Sequence, residues 1–218
     1  IIAIQEVVAG YGGAKAVSRL VAILNTKGSK WDYVISNPTT SSNPSSRERY
    51  AFIWKPSSVR KTGNCWLDQN YQKEIDREPF MGTFIYKGKS ITLVSFHSVP
   101  KKKNPASEIK YFKFFPKLYS KLNLVFMGDF NCPQSHSVFF PIKKIGFTSV
   151  FHNQKTSLRQ KCINNDCLAS EYDNIFYKSS NLKVIKSGIV PFYTSFKSVK
   201  EARKISDHIP IWCTFQMK

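Results

Sequence analysis

The sequence predicts a mixed α/β protein in which layered sheets are covered on the outside by helices. Three observations predict it. Short apolar runs bounded by turn residues outnumber the helical patterns. Some of these runs follow one another as hairpins, while others are separated by helical stretches. No internal repeat and no linker divides the 218 residues, a length that suits one domain with a sizeable core.

Taken in order, "IIAIQEVV" reads as a buried strand already under way at Ile1, so a further N-terminal strand, and any targeting signal with it, is expected upstream of the sequence as given. "AKAVSRLVAILNTKG" repeats apolar residues at Val17, Leu20, Val21 and Leu24 and stops at Gly28, which predicts an amphipathic helix. "WDYVISN" is a strand, and the Pro and Ser density of "PTTSSNPSS" marks an exposed loop. "RYAFIWK" and "SVR" are strands, followed by a long polar connection, "TGNCWLDQNYQKEIDRE". "PFMGTFIYKGKSITLVSFH" gives two strands around a Lys-Gly-Lys turn. Residues 104–122 predict a helix with Ser107 as a cap, which Pro116 kinks or divides. "LVFMGDFN" is a buried strand, residues 135–145 a helix, and "YDNIFYK", "LKVIKS" and "IPIWCTFQ" are the later strands.

The formal net charge is +19, from 33 Lys and Arg against 14 Asp and Glu, and the excess is scattered through segments such as "KKKNPASEIKYFKFFPK", "NQKTSLRQK" and "FKSVKEARK". Positive potential on several loops is the footprint of a polyanion binder; a Lys-rich solubilising surface is the plainer explanation, and charge alone does not separate nucleic acid from an anionic membrane or an acidic polymer. No apolar run approaches the roughly 20 residues that a membrane-spanning helix needs. Five cysteines without a paired CxxC motif argue against a zinc framework. Cys162 and Cys167 are spaced to close a short disulfide if the protein is exported, and Cys213 is expected to be a buried thiol.

The chemistry is carried by polar residues at strand ends. Glu6 closes "IIAIQE", Glu48 opens "ERYAFIW", and His97 closes "ITLVSFH"; Asp129 and Asn131 follow "LVFM"; Asp173 and Asn174 open "IFY"; Asp207 and His208 precede "IPIW". A lone Asp, Asn or His at such a place is ordinarily a turn or surface residue. As a set they have the composition of a site that holds a hard divalent cation such as Mg²⁺ through oxygen and keeps imidazoles for proton transfer near neutral pH. With a charge of +19, phosphodiester hydrolysis becomes the leading chemistry.

"AIQEV", "ERYAFIW", "REPF", "FHSVP", "MGDFN", "EYDNIFY" and "SDHIPI" occur in the order found in the endonuclease/exonuclease/phosphatase superfamily, and the sequence resembles its deoxyribonuclease I branch over nearly all its length. The resemblance implies a four-layer α/β/β/α sandwich with the site at one edge of two packed sheets. It implies a Mg²⁺-dependent endonuclease (Ca²⁺ or Mn²⁺ being alternatives) that acts on DNA with little sequence specificity as a monomer. By the same resemblance Glu6 and Asp207 are metal ligands; Glu48 with His97, and Asp173 with His208, are carboxylate–imidazole pairs, His97 the proton donor. Asp129 activates water, Asn131 holds the scissile phosphate, and Arg77, Tyr172 and Asn174 contact substrate.

The pattern also departs from that branch. The upstream "WNL"-type strand with its Asn is missing, and Val8 and Ser46 stand where pancreatic-type members place an Arg and a Tyr against the DNA minor groove. Sequence-neutral phosphate contacts by Lys would then replace groove reading. Two other readings remain open: a phosphatase or lipid phosphodiesterase on the same scaffold, against which the absence of a "WCDR"-type block counts, and an inactive nucleic-acid-binding copy.

Overall fold

A computed structural model describes residues 1–218. The chain runs β1 (Ile2–Val8), α1 (Tyr11–Asn25), β2 (Asp32–Ile35), β3 (Glu48–Trp54), β4 (Arg60–Leu67), β5 (Phe80–Tyr86), β6 (Lys89–His97), α2 (Ala106–Ile109), α3 (Phe115–Leu118), β7 (Leu124–Asp129), α4 (Phe140–Lys144), β8 (Phe147–Ser149), β9 (Leu158–Ile163), β10 (Asp166–Leu168), β11 (Asp173–Lys178), β12 (Leu182–Ile189), α5 (Val199–Ala202) and β13 (Ile211–Met217).

Period-two alternation on a few strands sorts the residues into layers. On β3, Tyr50, Phe52 and Trp54 face one core while Ala51 and Ile53 face another, where Val17 and Val21 of α1 meet them. On β7, Val125 and Met127 join the Tyr50 core, whereas Leu124 and Phe126 pack outward on Ile109, Phe112, Phe115 and Ile142. The result is the expected four layers: α1, then the sheet β1-β3-β2 with the β12-β13 pair, then the six-stranded sheet β4-β5-β6-β7-β11-β8, then the short helices α2 to α4. A fourth sheet, β9-β10, stands apart from these.

Several elements differ from the sequence reading. The "long polar connection" contains most of β4, because Trp66 and Leu67 pair with Met81 and Phe80 across a register shift after Thr62. Residues 104–122 are divided more finely than expected: α2 and α3 are single turns joined by a 3₁₀ turn at Phe112–Phe114, Pro116 lies in the first turn of α3, and Ser107 bonds the Asn104 carbonyl inside α2 instead of capping it. Within the Ser-rich loop, Thr39 and Ser41 are buried, Thr39 because it pairs with the start of β3. Leu20, on the expected apolar face of α1, is exposed. Cys213 is half-buried, since its strand is covered on one face only. The hairpin β9-β10 and helix α5 were not anticipated, and the Cys162–Cys167 disulfide ties that hairpin.

Candidate active site

The site follows from register. β6 and β7 run parallel with His97 opposite Asp129, and β11 runs antiparallel with Asp173 opposite Asp129, so His97, Asp129 and Asp173 stand side by side at one rim of the six-stranded sheet. Each shares the parity of residues in the core between the sheets, Leu93, Val125 and Ile175 respectively, so all three point toward the facing sheet. Glu48 shares the parity of Tyr50 and Phe52 and points back from that sheet. The inter-sheet core therefore ends in polar groups where both sheets reach their rim.

Two backbone devices complete the convergence. Strict alternation would send Glu6 toward α1 with Ile4, but a register shift between Ile4 and Val7, with Glu6 at φ 58°, gives that face to Val7 and frees Glu6 for the rim. Its carboxylate lies 3.6 Å from His97 Nε2. In β7, Gly128 adopts φ +131°, and a Cβ there would lie 2.0 Å from the Phe96 carbonyl oxygen, so only glycine permits the approach of β6 and β7 just before His97 and Asp129.

His97 Nδ1 is 2.8 Å from Glu48 Oε2, and its Nε2 is 3.6 Å from Asp129 Oδ2. Glu48 is held in turn by Arg77 Nη1 at 3.1 Å and by the Glu6 backbone N–H at 3.2 Å. His208 Nδ1 is 2.7 Å from Asp173 Oδ2, and its Nε2 is 3.8 Å from the same Asp129 oxygen. Thr156 Oγ1 accepts hydrogen bonds from the backbone N–H groups of Tyr172 and Asp173 at 3.2 and 2.9 Å, which fixes the start of β11. The Tyr172 ring stacks beside His208 with centroids 6.3 Å apart.

These surroundings shift the acid–base groups. Burial pushes the Asp129 carboxyl up, the Asp173 charge adds to it, and the two imidazoles only partly offset this, leaving a pKa of about 6. Burial disfavours the charged form of His208, but the Asp173 hydrogen bond and charge outweigh it and raise the ring to about 9. His97 is raised for the same reason: burial opposes the charge, and Glu48, followed by Asp129, overcomes it.

Three expected residues are placed otherwise. Asn174 lies on the opposite face of β11 from Asp173; its amide is buried and clamps the Phe151 backbone, accepting from its N–H at 3.1 Å and donating to its carbonyl at 2.9 Å. Arg77 is buried, with Nη1 on Glu48 and Nη2 on the Ser98 carbonyl. The Asp207 carboxylate faces outward to Arg203 Nη2 at 3.3 Å and is half exposed. Asn131, at φ 49°, donates its side-chain amide to Asp129 Oδ2 and the Ser98 carbonyl at 3.1 and 3.2 Å, so it orients Asp129. Thr156 was missed by the sequence reading, which weighed "NQKTSLRQK" for charge alone.

Asp129, Asp173 and His208 each offer a ligand atom within 4.8 Å of the others, a cluster that can hold a metal ion. The 2.7 Å His208–Asp173 contact already engages one atom of each, so that pair reads as a hydrogen-bonded couple. Both Asp129 oxygens accept from Asn131, at 2.7 and 3.1 Å, and the unengaged carboxylate is Glu6, whose side chain is 67% exposed; a hard oxygen donor beside solvent suits Mg²⁺, which keeps several waters.

Two packed sheets between helices, with this rim, are the deoxyribonuclease I-like fold of endonuclease/exonuclease/phosphatase proteins. No family model matches the chain. It is 24% identical over 236 residues, and 99% of its own length, to a protein named deoxyribonuclease from Thioalkalivibrio sp. strain K90mix, of which it spans 62%. Among solved structures it is similar to the human Nocturnin catalytic domain with bound sulfate, at 14% identity and TM-score 0.66, covering 99% of this chain and 80% of that one. It resembles D. rerio TDP2 complexed with a single-strand DNA product at 13% identity and TM-score 0.62, covering 98% and 84%. A mannosyl-6-phosphatase from Bacteroides thetaiotaomicron matches at 15% identity and TM-score 0.60, covering 99% and 100%.

Proposed function

We propose that the protein is a member of the endonuclease/exonuclease/phosphatase superfamily that acts as a divalent-metal-dependent endonuclease, hydrolysing DNA phosphodiesters with little sequence specificity. The observation that carries this reading is the placing of one carboxylate, Asp129, within 4 Å of two imidazoles that each rest on a further carboxylate. Asp129, held by Asn131, orients and deprotonates the attacking water, its raised pKa suiting a base near neutral pH. His97, fixed through Nδ1 by Glu48, gives its Nε2 proton to the oxygen that leaves as the phosphorus–oxygen bond breaks. His208, kept cationic by Asp173, places positive charge where the phosphorane gathers negative charge. Glu6, its carboxylate open to solvent, would hold a Mg²⁺ ion, which when bound supplies Lewis-acid polarisation of the phosphoryl oxygen.

The net charge of +19, the deoxyribonuclease relative and the neighbour solved with a DNA strand favour nucleic acid as substrate. The mannosyl-6-phosphatase neighbour keeps one second reading, a phosphomonoesterase on the same rim. A supercoiled plasmid incubated with the protein and Mg²⁺ separates them. Nicking that is abolished by a chelator and by His97→Ala is the expected result. An intact plasmid, with phosphate released from sugar or inositol phosphates, overturns the nuclease reading.

A further inference from the structure

The β9-β10 hairpin is joined to the site without belonging to either large sheet. Leu158 N–H bonds the Asp207 carbonyl at 2.7 Å, Ser157 bridges His208, and Ile209 N–H bonds Thr156 O at 2.7 Å, so the base of the hairpin is fastened to the segment carrying His208. The same Thr156 holds the start of β11 at Asp173. A small core of Leu158, Ala202 and Ile209 seats α5 against β9, and Arg203 donates to the Leu158 carbonyl. The far end of the hairpin turns at Asn164 and Asn165, both left-handed, and is closed by the Cys162–Cys167 disulfide. An isolated two-stranded hairpin is marginal in water, yet this one is anchored at its base and covalently tied at its tip.

Its surface is basic. Asp166 is the hairpin's single acid and is taken by Lys155 and Arg159. Arg203 of the α5 segment is likewise taken by Asp207. Lys161 on β9 and Lys200 and Lys204 at α5 are exposed and outside every ion pair of the molecule, three cations against one further exposed acid, Glu201 of α5. We propose that hairpin and α5 form a rigid basic ledge beside His208 that receives the phosphate backbone of a nucleic acid strand beyond the scissile phosphate. This rests on the nuclease reading and adds to it the place where sequence-neutral affinity arises. A ledge already stiff before binding loses little freedom when a strand lies on it, and three free ammonium groups release counterions on contact.

The test is the triple variant Lys161→Glu/Lys200→Glu/Lys204→Glu, checked for an unchanged thermal melt, with a Lys→Gln triple as the milder companion. Binding of a 30-nucleotide single-stranded DNA in a chelator, and Mg²⁺-dependent turnover of bis(p-nitrophenyl) phosphate, are measured separately. The expected result is DNA affinity at least about tenfold weaker near 0.1 M salt and a log–log salt slope reduced by about 2, with small-diester turnover within about twofold of the parent. Unchanged DNA affinity and slope in either triple overturn the ledge and leave the nuclease reading standing. A parent that binds DNA through the ledge but turns over no diester overturns the nuclease reading instead. Loss of binding to anionic phospholipid vesicles, with DNA binding intact, overturns the choice of nucleic acid as the ledge's partner.

Discussion

His97 and His208 come within 3.6 and 3.8 Å of the same Asp129 oxygen, but the ground beneath them differs. Glu48 and His97 are sealed between the sheets, with side chains only 8% exposed, and Arg77 is buried behind them with its Nε unpartnered. Asp173 and His208 rest on a strand start and a loop, and the His208 ring is 26% exposed. Two couples with the same chemistry are thus supported by opposite means: one by a charged network that the core must enclose, the other by local hydrogen bonds that water can reach. Removing one member of a couple is therefore expected to cost more stability at Glu48–His97 than at Asp173–His208.

Both imidazoles can be removed singly. His97→Ala and His208→Ala are each expected to lower plasmid nicking by about 10²–10⁴-fold, because proton transfer and charge stabilisation both depend on placed groups. Equal activity in either variant and the parent removes that couple from the chemistry.

The carboxylates can be substituted in the same way. Glu48→Gln strands the Arg77 cation among buried groups and is expected to destabilise the fold by about 4 kcal/mol in urea titration, since removing one member of a buried pair leaves the other uncompensated. Asp173→Asn leaves no buried cation behind and is expected to lose about 2 kcal/mol. Similar losses would mean that the burial of the first couple adds nothing to stability.

Proton titration tests the exposed couple again. The folded pKa of His208 lies near 9, above the unfolded value of about 6.5, so its contribution is complete below pH 6.5 and is lost as pH rises toward 9. In chelator, the unfolding free energy is expected to fall by about 2 kcal/mol across that window, after allowance for the ring's partial exposure, and His208→Gln flattens the slope. The smallest effect is expected at Asp207→Asn, which breaks an exposed pair with Arg203 and changes stability by about 0.5 kcal/mol. A collapse in activity there, comparable to that of His97→Ala, would make Asp207 a metal ligand after all.

Much of this arrangement was legible in the residues. β3, β6, β7 and β11 were readable because their apolar periodicity is continuous, and the strand-end carboxylates and imidazoles stood out against it. Period two also separates Asp173 from Asn174, since neighbours on a strand face opposite ways, so only one of them was able to face the rim. Glu6 was harder: its identity marked it, but its direction depends on a bulge that no period reveals. The strands of the β9-β10 hairpin were not readable because its own sequence is polar and its base is ordered by Ala202 and Ile209, distant along the chain, although the spacing of Cys162 and Cys167 did suggest the disulfide at its tip. The place of Arg77 was not readable, because the depth of a residue behind Glu48 is a property of packing between layers, absent from local sequence.

Gly128 sets a boundary on how this protein can change. Loops around the rim can lengthen or alter their charge without moving the reacting groups, whereas a single methyl at position 128 would press on the Phe96 carbonyl and wedge apart the neighbouring strands that hold His97 and Asp129 together. The charge of the periphery is therefore free to drift, and the spacing of His97 and Asp129 is inherited through one atom that must never be added.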